Sequence, residues 1–159
     1  MFGATLGSDF GQKEHDLLHT SIRLSSIQLG IPIVTFYVFS TENWKRPKTE
    51  INFLFNLIID YFKKELENVI SNGIKIHIIG NINTLPIKIK KTLRETVNLT
   101  RKNNKIIVNL AINYGSKDEI VTASKKSKKK ISIKSLENYL ETKNFPNPDL
   151  IIRSGGEKR

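Results

Sequence analysis

The sequence predicts an α/β fold: a mostly parallel sheet flanked by helices. Three observations predict it. Short runs rich in β-branched and apolar residues, at 33–39, 74–79, 106–112 and 149–153, alternate with longer stretches of helical apolar spacing. A helical stretch between successive strands implies a crossover, and crossovers imply parallel pairing. The polar and glycine-rich residues gather just after the strands, where open parallel sheets hold their ligands.

Taken in order, residues 12–29 read as a helix, with Leu17, Leu18, Ile22, Leu24, Ser25 and Leu29 near helical spacing. Gly30 and Pro32 stop it. Ile33 to Phe39 is the first strand expected. Thr49 to Ser71 follows as an amphipathic helix, capped at Thr49, with its stripe at Ile51, Leu54, Phe55, Ile58, Phe62, Leu66 and Val69. Gly73 stands where a left-handed C-terminal cap belongs. Ile74 to Ile79 is a strand, and Pro86 opens a helix running to about Lys102. Ile106 to Ile112 is the third strand. Helices are expected at 117–125 and 134–142, then a proline-punctuated loop at 144–148 and a strand from Asp149 to Arg153.

A chain of 159 residues suits a single domain spanning 1–159. With no cysteine it has neither disulfides nor thiolate metal sites. No apolar run approaches the ~18–20 residues of a membrane span. The net charge of +11 raises the question of nucleic acid. Its densest run, Lys125-Lys126-Ser127-Lys128-Lys129-Lys130, has no aromatic residue interleaved, so a solvated face is the plainer reading and an anion-attracting surface the next. Nucleic acid is not expected as a partner.

The four strand ends, with Ser40 to Arg46, Gly80-Asn81, Asn113-Tyr114-Gly115 and Arg153 to Arg159, are expected on one edge of the sheet, and the first and last carry most of the chemistry. Ser40-Thr41-Glu42-Asn43-Trp44-Lys45-Arg46-Pro47 brings a hydroxyl, a carboxylate, an amide, the only tryptophan and a guanidinium into one strand-to-helix turn. Asn43 suits a hydrogen bond to a reacting group or a proton relay, and equally a turn cap. Trp44 suits the wall of an apolar substrate site, with core packing the plainer reading for a lone tryptophan. Arg46 suits an anion clamp or a solvated position. Arg153-Ser154-Gly155-Gly156-Glu157-Lys158-Arg159 reads as an oxyanion cradle or a plain turn: two glycines admit backbone N–H groups close to a phosphate, and arginine matches its oxygens bidentately. His15, His19 and His77 lack metal-ligand spacing, so no metal site is expected from them.

These residues resemble a known family. Phe39 to Pro47 closely resembles the F-S-[ST]-E-N-W-x-R-P signature of cis-prenyltransferases, the isoprenyl transferase family that includes undecaprenyl diphosphate synthase. Asp149 to Arg159 resembles its D-L-x-I-R-[TS]-[SG]-G-E-x-R signature. Asn109 to Ile120 and Ile78 to Asn81 resemble two further segments, in the family's order. The resemblance implies a six-stranded parallel sheet, usually in a homodimer. It implies condensation of isopentenyl diphosphate with an allylic diphosphate, with Mg²⁺, to give cis-polyprenyl diphosphate, a cell-wall lipid carrier precursor. It implies a cytoplasmic enzyme, with contact at the membrane periphery. By position, Asn43 would be catalytic, assisting proton loss. Ser40, Thr41, Glu42, Trp44, Arg46, Arg153, Ser154, Gly155, Gly156 and Arg159 would bind substrate, and the helix at 51–69 would supply part of a tunnel for the growing chain.

Measured against the same resemblance, the chain is expected to be truncated at both ends. The family's first strand and its M-D-G-N-G-R-W-A segment are expected to be absent, and with them the aspartate at the metal–diphosphate centre. Asp9 lacks that context. The family's G-H-x-x-G appears as Gly11-Gln12-Lys13-Glu14-His15, and its N-Y-G-G-R as Asn113-Tyr114-Gly115-Ser116-Lys117. The C-terminal region, with a metal-binding glutamate, is also expected to be missing, so the Mg²⁺ ligands are not expected here. Activity should then be impaired. The alternative is a non-catalytic isopentenyl-diphosphate-binding remnant, or a partner subunit of a full-length homologue.

Overall fold

The computed structural model describes residues 2–5, 25–127 and 131–153, with residues 2–5 and 153 described through their backbone. Five strands form one sheet: β1 (Phe2–Thr5), β2 (Ile33–Ser40), β3 (Ile74–Ile79), β4 (Ile106–Tyr114) and β5 (Leu150–Arg153). Their order is β3-β4-β2-β1-β5, and every pairing is parallel. The helices are α1 (Lys48–Ser71), α2 (Ile87–Thr100), α3 (Ser116–Lys126) and α4 (Ile133–Glu137). Among the described residues none of them is long and apolar enough to cross a membrane.

β1 corrects one expectation. A first strand is present, paired with β2 from Phe2↔Val34 to Thr5↔Tyr37 and with β5 from Phe2↔Leu150 to Thr5↔Arg153. Phe-Gly-Ala-Thr has no β-branched run and no alternation, so nothing in its four residues signals a strand. Pairing on both sides supplies the hydrogen bonds that local propensity does not. It does not carry the Asp-Gly-Asn-Gly-Arg pattern.

Helices α1 and α2 cover one sheet face. Ile51, Phe55, Ile59, Phe62 and Val69 of α1, with Ile89 and Leu93 of α2, meet Val34, Phe36, Ile76, Val108 and Leu110 in a single core. The expected stripe of α1 is therefore largely in place, with Leu54 and Ile58 half-buried against that core. Leu66 stays outside it, while Ile59 and Leu57 are buried instead. Thr49 is not the cap. Pro47 precedes the helix, and its carbonyl accepts the N–H groups of Glu50 and Ile51 at 3.0 and 3.1 Å. The fixed proline φ of −54° starts the turn two residues earlier than a cap at Thr49 would. Gly73 ends it with φ +69°, as its position implies. Residues 25–28 are helical and Gly30 has φ +68°, so the end of the 12–29 helix is where the sequence puts it; its earlier part lies outside the described residues. The last expected helix is shorter than 134–142, running from Ile133 to Glu137 and passing into turns.

Edge strand β3 is tied down by a helix. The Ile76 N–H donates to Thr100 Oγ1 at 3.1 Å, and that hydroxyl donates to the Thr96 carbonyl at 2.8 Å. Both threonines are fully buried, so neither the strand N–H nor the hydroxyl is left unpaired. The opposite sheet face carries a polar row in register, Thr35–Asn109–His77.

Candidate active site

Parallel pairing brings the C-terminal ends of the strands to one edge. Ser40 ends β2 beside Tyr114 of β4, β3 runs into Gly80, and Arg153 ends β5 beside Thr5. The β2–β4 register is broken around Phe39. Strict alternation would place Phe36 and Val38 inward and Phe39 on the other face. The irregularity instead turns Phe39 into the core, 1% exposed, and starts the following turn from a packed aromatic base.

That turn is a 3-10 segment, Thr41–Lys45. Asn43 Oδ1 accepts from the Ser40 backbone N–H at 2.7 Å and from the Ser40 hydroxyl at 3.1 Å. Asn43 thus does the work of a turn cap, and its Nδ2 makes no hydrogen bond among the described residues. Trp44 is neither core nor free. It is 41% exposed, its ring stands on edge against Phe39 and Phe55 at 5.3 and 5.8 Å, and its Nε1–H donates to Asn113 Oδ1 at 2.7 Å. Thr41 closes over Gly115: a Cβ there would run into Thr41 Oγ1 and Asp118 Oδ2. Glycine is what lets the turn after β2 lie directly on the end of β4.

Ser40, Thr41, Asn43 and Trp44 are accordingly brought together. Glu42 is exposed at the rim. Arg46, just ahead of α1, is held back in an ion pair with Glu50 of that helix's first turn. Arg153 lies at the same edge by its place in β5; its side chain, with Ser154, Gly155, Gly156 and Arg159, falls outside the described residues. So does Asp9. Among the described residues there is no group of three or more histidines or acids that could hold a metal ion.

Sequence reasoning puts Asn113 at the strand-end edge but gives it no role; its amide also donates to the Asn81 carbonyl at 2.7 Å and to Thr84 Oγ1 at 2.9 Å. The available signal was an asparagine at a strand end just before Tyr-Gly. Sequence reasoning missed Glu119 and Glu141. Tyr114 donates to Glu119 Oε2 at 2.7 Å, the Glu141 N–H donates to Glu119 Oε1 at 2.8 Å, and Glu141 in turn accepts from the Gly80 N–H. Burial and the Glu119 carboxylate push the Tyr114 hydroxyl far above its ordinary range, so it stays a donor. Beside this network a cavity of about 480 Å³ lies between the polar sheet face and residues 137–148, lined by Thr35, Tyr37, Ile79, Tyr114 and Phe145 among others. None of its lining comes from α1, whose stripe is committed to the core.

The comparisons with known proteins agree with one another. The family model described as "Putative undecaprenyl diphosphate synthase" matches residues 12–159. The isoprenyl transferase of Clostridium tetani is 43% identical over 141 residues, covering 82% of this chain and 55% of that protein. The isoprenyl transferase of Rickettsia bellii is 41% identical over 158 residues, covering 97% of this chain and 66% of that protein. The chain thus spans between half and two thirds of these relatives' lengths. A crystal structure of a probable undecaprenyl diphosphate synthase from Campylobacter jejuni superposes with a TM-score of 0.86 at 29% identity, over 99% of this chain and 76% of that one. Lavandulyl diphosphate synthase from Lavandula x intermedia, solved with dimethylallyl diphosphate, shares the fold with a TM-score of 0.86 at 24% identity, over 99% of this chain and 78% of that one.

Proposed function

The chain belongs to the isoprenyl transferase family, whose model covers residues 12–159, and from that premise we propose that its strand-end edge binds isopentenyl diphosphate for condensation with an allylic diphosphate. The observation that carries the reading is the turn Ser40–Trp44 seated on the ends of β2 and β4. In that reaction the isopentenyl double bond attacks the allylic carbon. Diphosphate leaves with its electron pair, and a proton is lost to form the new cis double bond. Arg153 and Arg159, with the Ser154 hydroxyl and the Gly155 and Gly156 backbone, hold the diphosphate oxygens. Ser40, Thr41, Glu42, Trp44 and Arg46 line the same site, Arg46 after leaving Glu50. Asn43 assists proton loss through its amide.

Domain 1–159 acts as one unit on this reading. Mg²⁺ supplies charge neutralisation at the leaving diphosphate in the family's reaction. In this proposal the chain binds substrate better than it turns it over, because its sequence lacks the Asp-Gly-Asn-Gly-Arg pattern. Pairing, with a second copy or with a full-length homologue, and a cytoplasmic location with peripheral membrane contact belong to the same proposal. The deciding experiment measures binding of labelled isopentenyl diphosphate to residues 1–159, then its incorporation with farnesyl diphosphate and Mg²⁺. Arg153→Ala should weaken binding about 10-fold or more, the weight of one charge-assisted hydrogen bond. Binding without incorporation makes the chain a non-catalytic binding subunit; no binding by folded protein defeats the proposal.

A further inference from the structure

Asn113 is the residue on which the strand-end edge converges. Its φ is +52°, a left-handed conformation that non-glycine residues seldom adopt and asparagine adopts most readily. It is 6% exposed, at the end of β4. Every polar group of its side chain is used. Oδ1 accepts from the Trp44 indole at 2.7 Å, and Nδ2 donates to the Asn81 carbonyl at 2.7 Å and to Thr84 Oγ1 at 2.9 Å. Its own carbonyl accepts the Asn81 N–H at 3.2 Å. One residue therefore joins the turn after β2, the turn after β3 and the end of β4.

What it holds matters for the site. The other aromatic contacts of Trp44, with Phe39 and Phe55, are edge contacts that tolerate sliding and tilting. The bond to Asn113 is directional, and the amide is anchored from below by the two hydrogen bonds that its N–H groups donate. A tryptophan placed only to fill the core would be covered; this one is 41% exposed and held by a buried amide. We infer that Asn113 is a positioning residue: it sets the plane of the Trp44 indole, and with it the turn Ser40–Arg46, before any ligand arrives. The consequence for isopentenyl diphosphate rests on the function proposed above; the hold on Trp44 does not.

The chain has one tryptophan, so its indole N–H gives a single resonance that reads the bond directly. Asn113→Gly removes the side chain and keeps the backbone conformation available. Asn113→Asp keeps an acceptor for Trp44 and loses the N–H groups that donate to Asn81 and Thr84. Thr84→Val removes one of the anchors and leaves Asn113 in place. In the full chain, Asn113→Gly should speed exchange of the indole N–H with water about 5-fold, the equilibrium weight of one ordinary hydrogen bond. Asn113→Asp and Thr84→Val should fall between it and the unsubstituted protein. Isopentenyl diphosphate should bind less tightly in the same order. A folded Asn113→Gly whose indole exchanges as slowly as the original overturns the inference. So does a freed indole with unchanged affinity. If Asn113→Gly does not fold, the other two variants decide by the same readout. If the unsubstituted protein binds no isopentenyl diphosphate, the proposed function falls, and indole exchange still decides whether Asn113 positions Trp44.

Discussion

Single residues at this edge were legible as chemistry, but their partners were not. Asn43 and Arg46 stand in a dense polar motif, yet Asn43 caps its own turn and Arg46 pairs with Glu50. Both partners are within four residues: the cap made by Asn43 is one of the two roles its sequence context offers, whereas Glu50 carries no signal as the partner of Arg46. The partner of Trp44 is 69 positions away, and only the β2–β4 pairing brings it close. His77 shows the same limit. It reads as a plain strand residue, but it is register partner to the buried Asn109 and stands on edge to Phe145 at 4.9 Å. Burial holds its pKa below the ordinary 6.5; Lys75 adds to this, while Asn109 and Glu141 oppose it without reversing it. The unfolded chain therefore takes up a proton near pH 6.5 that the folded chain refuses. Stability contributed by the neutral ring is present above that pH and is lost as pH falls through it toward the folded pKa. Urea unfolding between about pH 5 and 8 should show stability dropping on the acid side. The drop should be shallower in His77→Gln; equal slopes in the two proteins would refute the assignment.

At the scale of elements, the helices and the three long strands followed from period and punctuation, because each buries a face that its own apolar spacing defines. What did not follow were the departures from that period: the irregular register that turns Phe39 inward, the Pro47 start of α1, and β1 itself. Positive-φ glycines separate the local from the tertiary. Gly30, at φ +68°, has open space around it, whereas a Cβ on Gly80, at φ +114°, would run into the Ile112 carbonyl oxygen and meet Asn113 backbone atoms at 3.0 Å. Gly30→Ala should cost about 1 kcal/mol, from the backbone alone. Gly80→Ala should cost about 2–3 kcal/mol, since backbone atoms cannot move aside as a flexible side chain can. Denaturation midpoints of the two variants check this, and equal losses would mean that the Gly80–Ile112 approach is not tight.

For the whole molecule, the sheet among the described residues ends on β5, where Leu150, Ile151 and Ile152 are 46%, 66% and 51% exposed. An edge strand with apolar residues open on both faces invites pairing. Residues 1–159 should therefore self-associate as concentration rises, seen by light scattering on a sizing column, and Ile152→Lys should reduce it. A monomer at all concentrations would show that this edge is covered. The sequence by itself determined the alternation of elements, the parallel sheet, the core stripe of α1 and the family, because local periods and contiguous motifs are written along the chain. Only the tertiary structure decided that β1 joins the sheet, that Phe39 turns inward, and that Asn113 grips Trp44. Each of those depends on strand register between distant segments, and register is settled by the collective burial of a face rather than by any residue's neighbours in sequence.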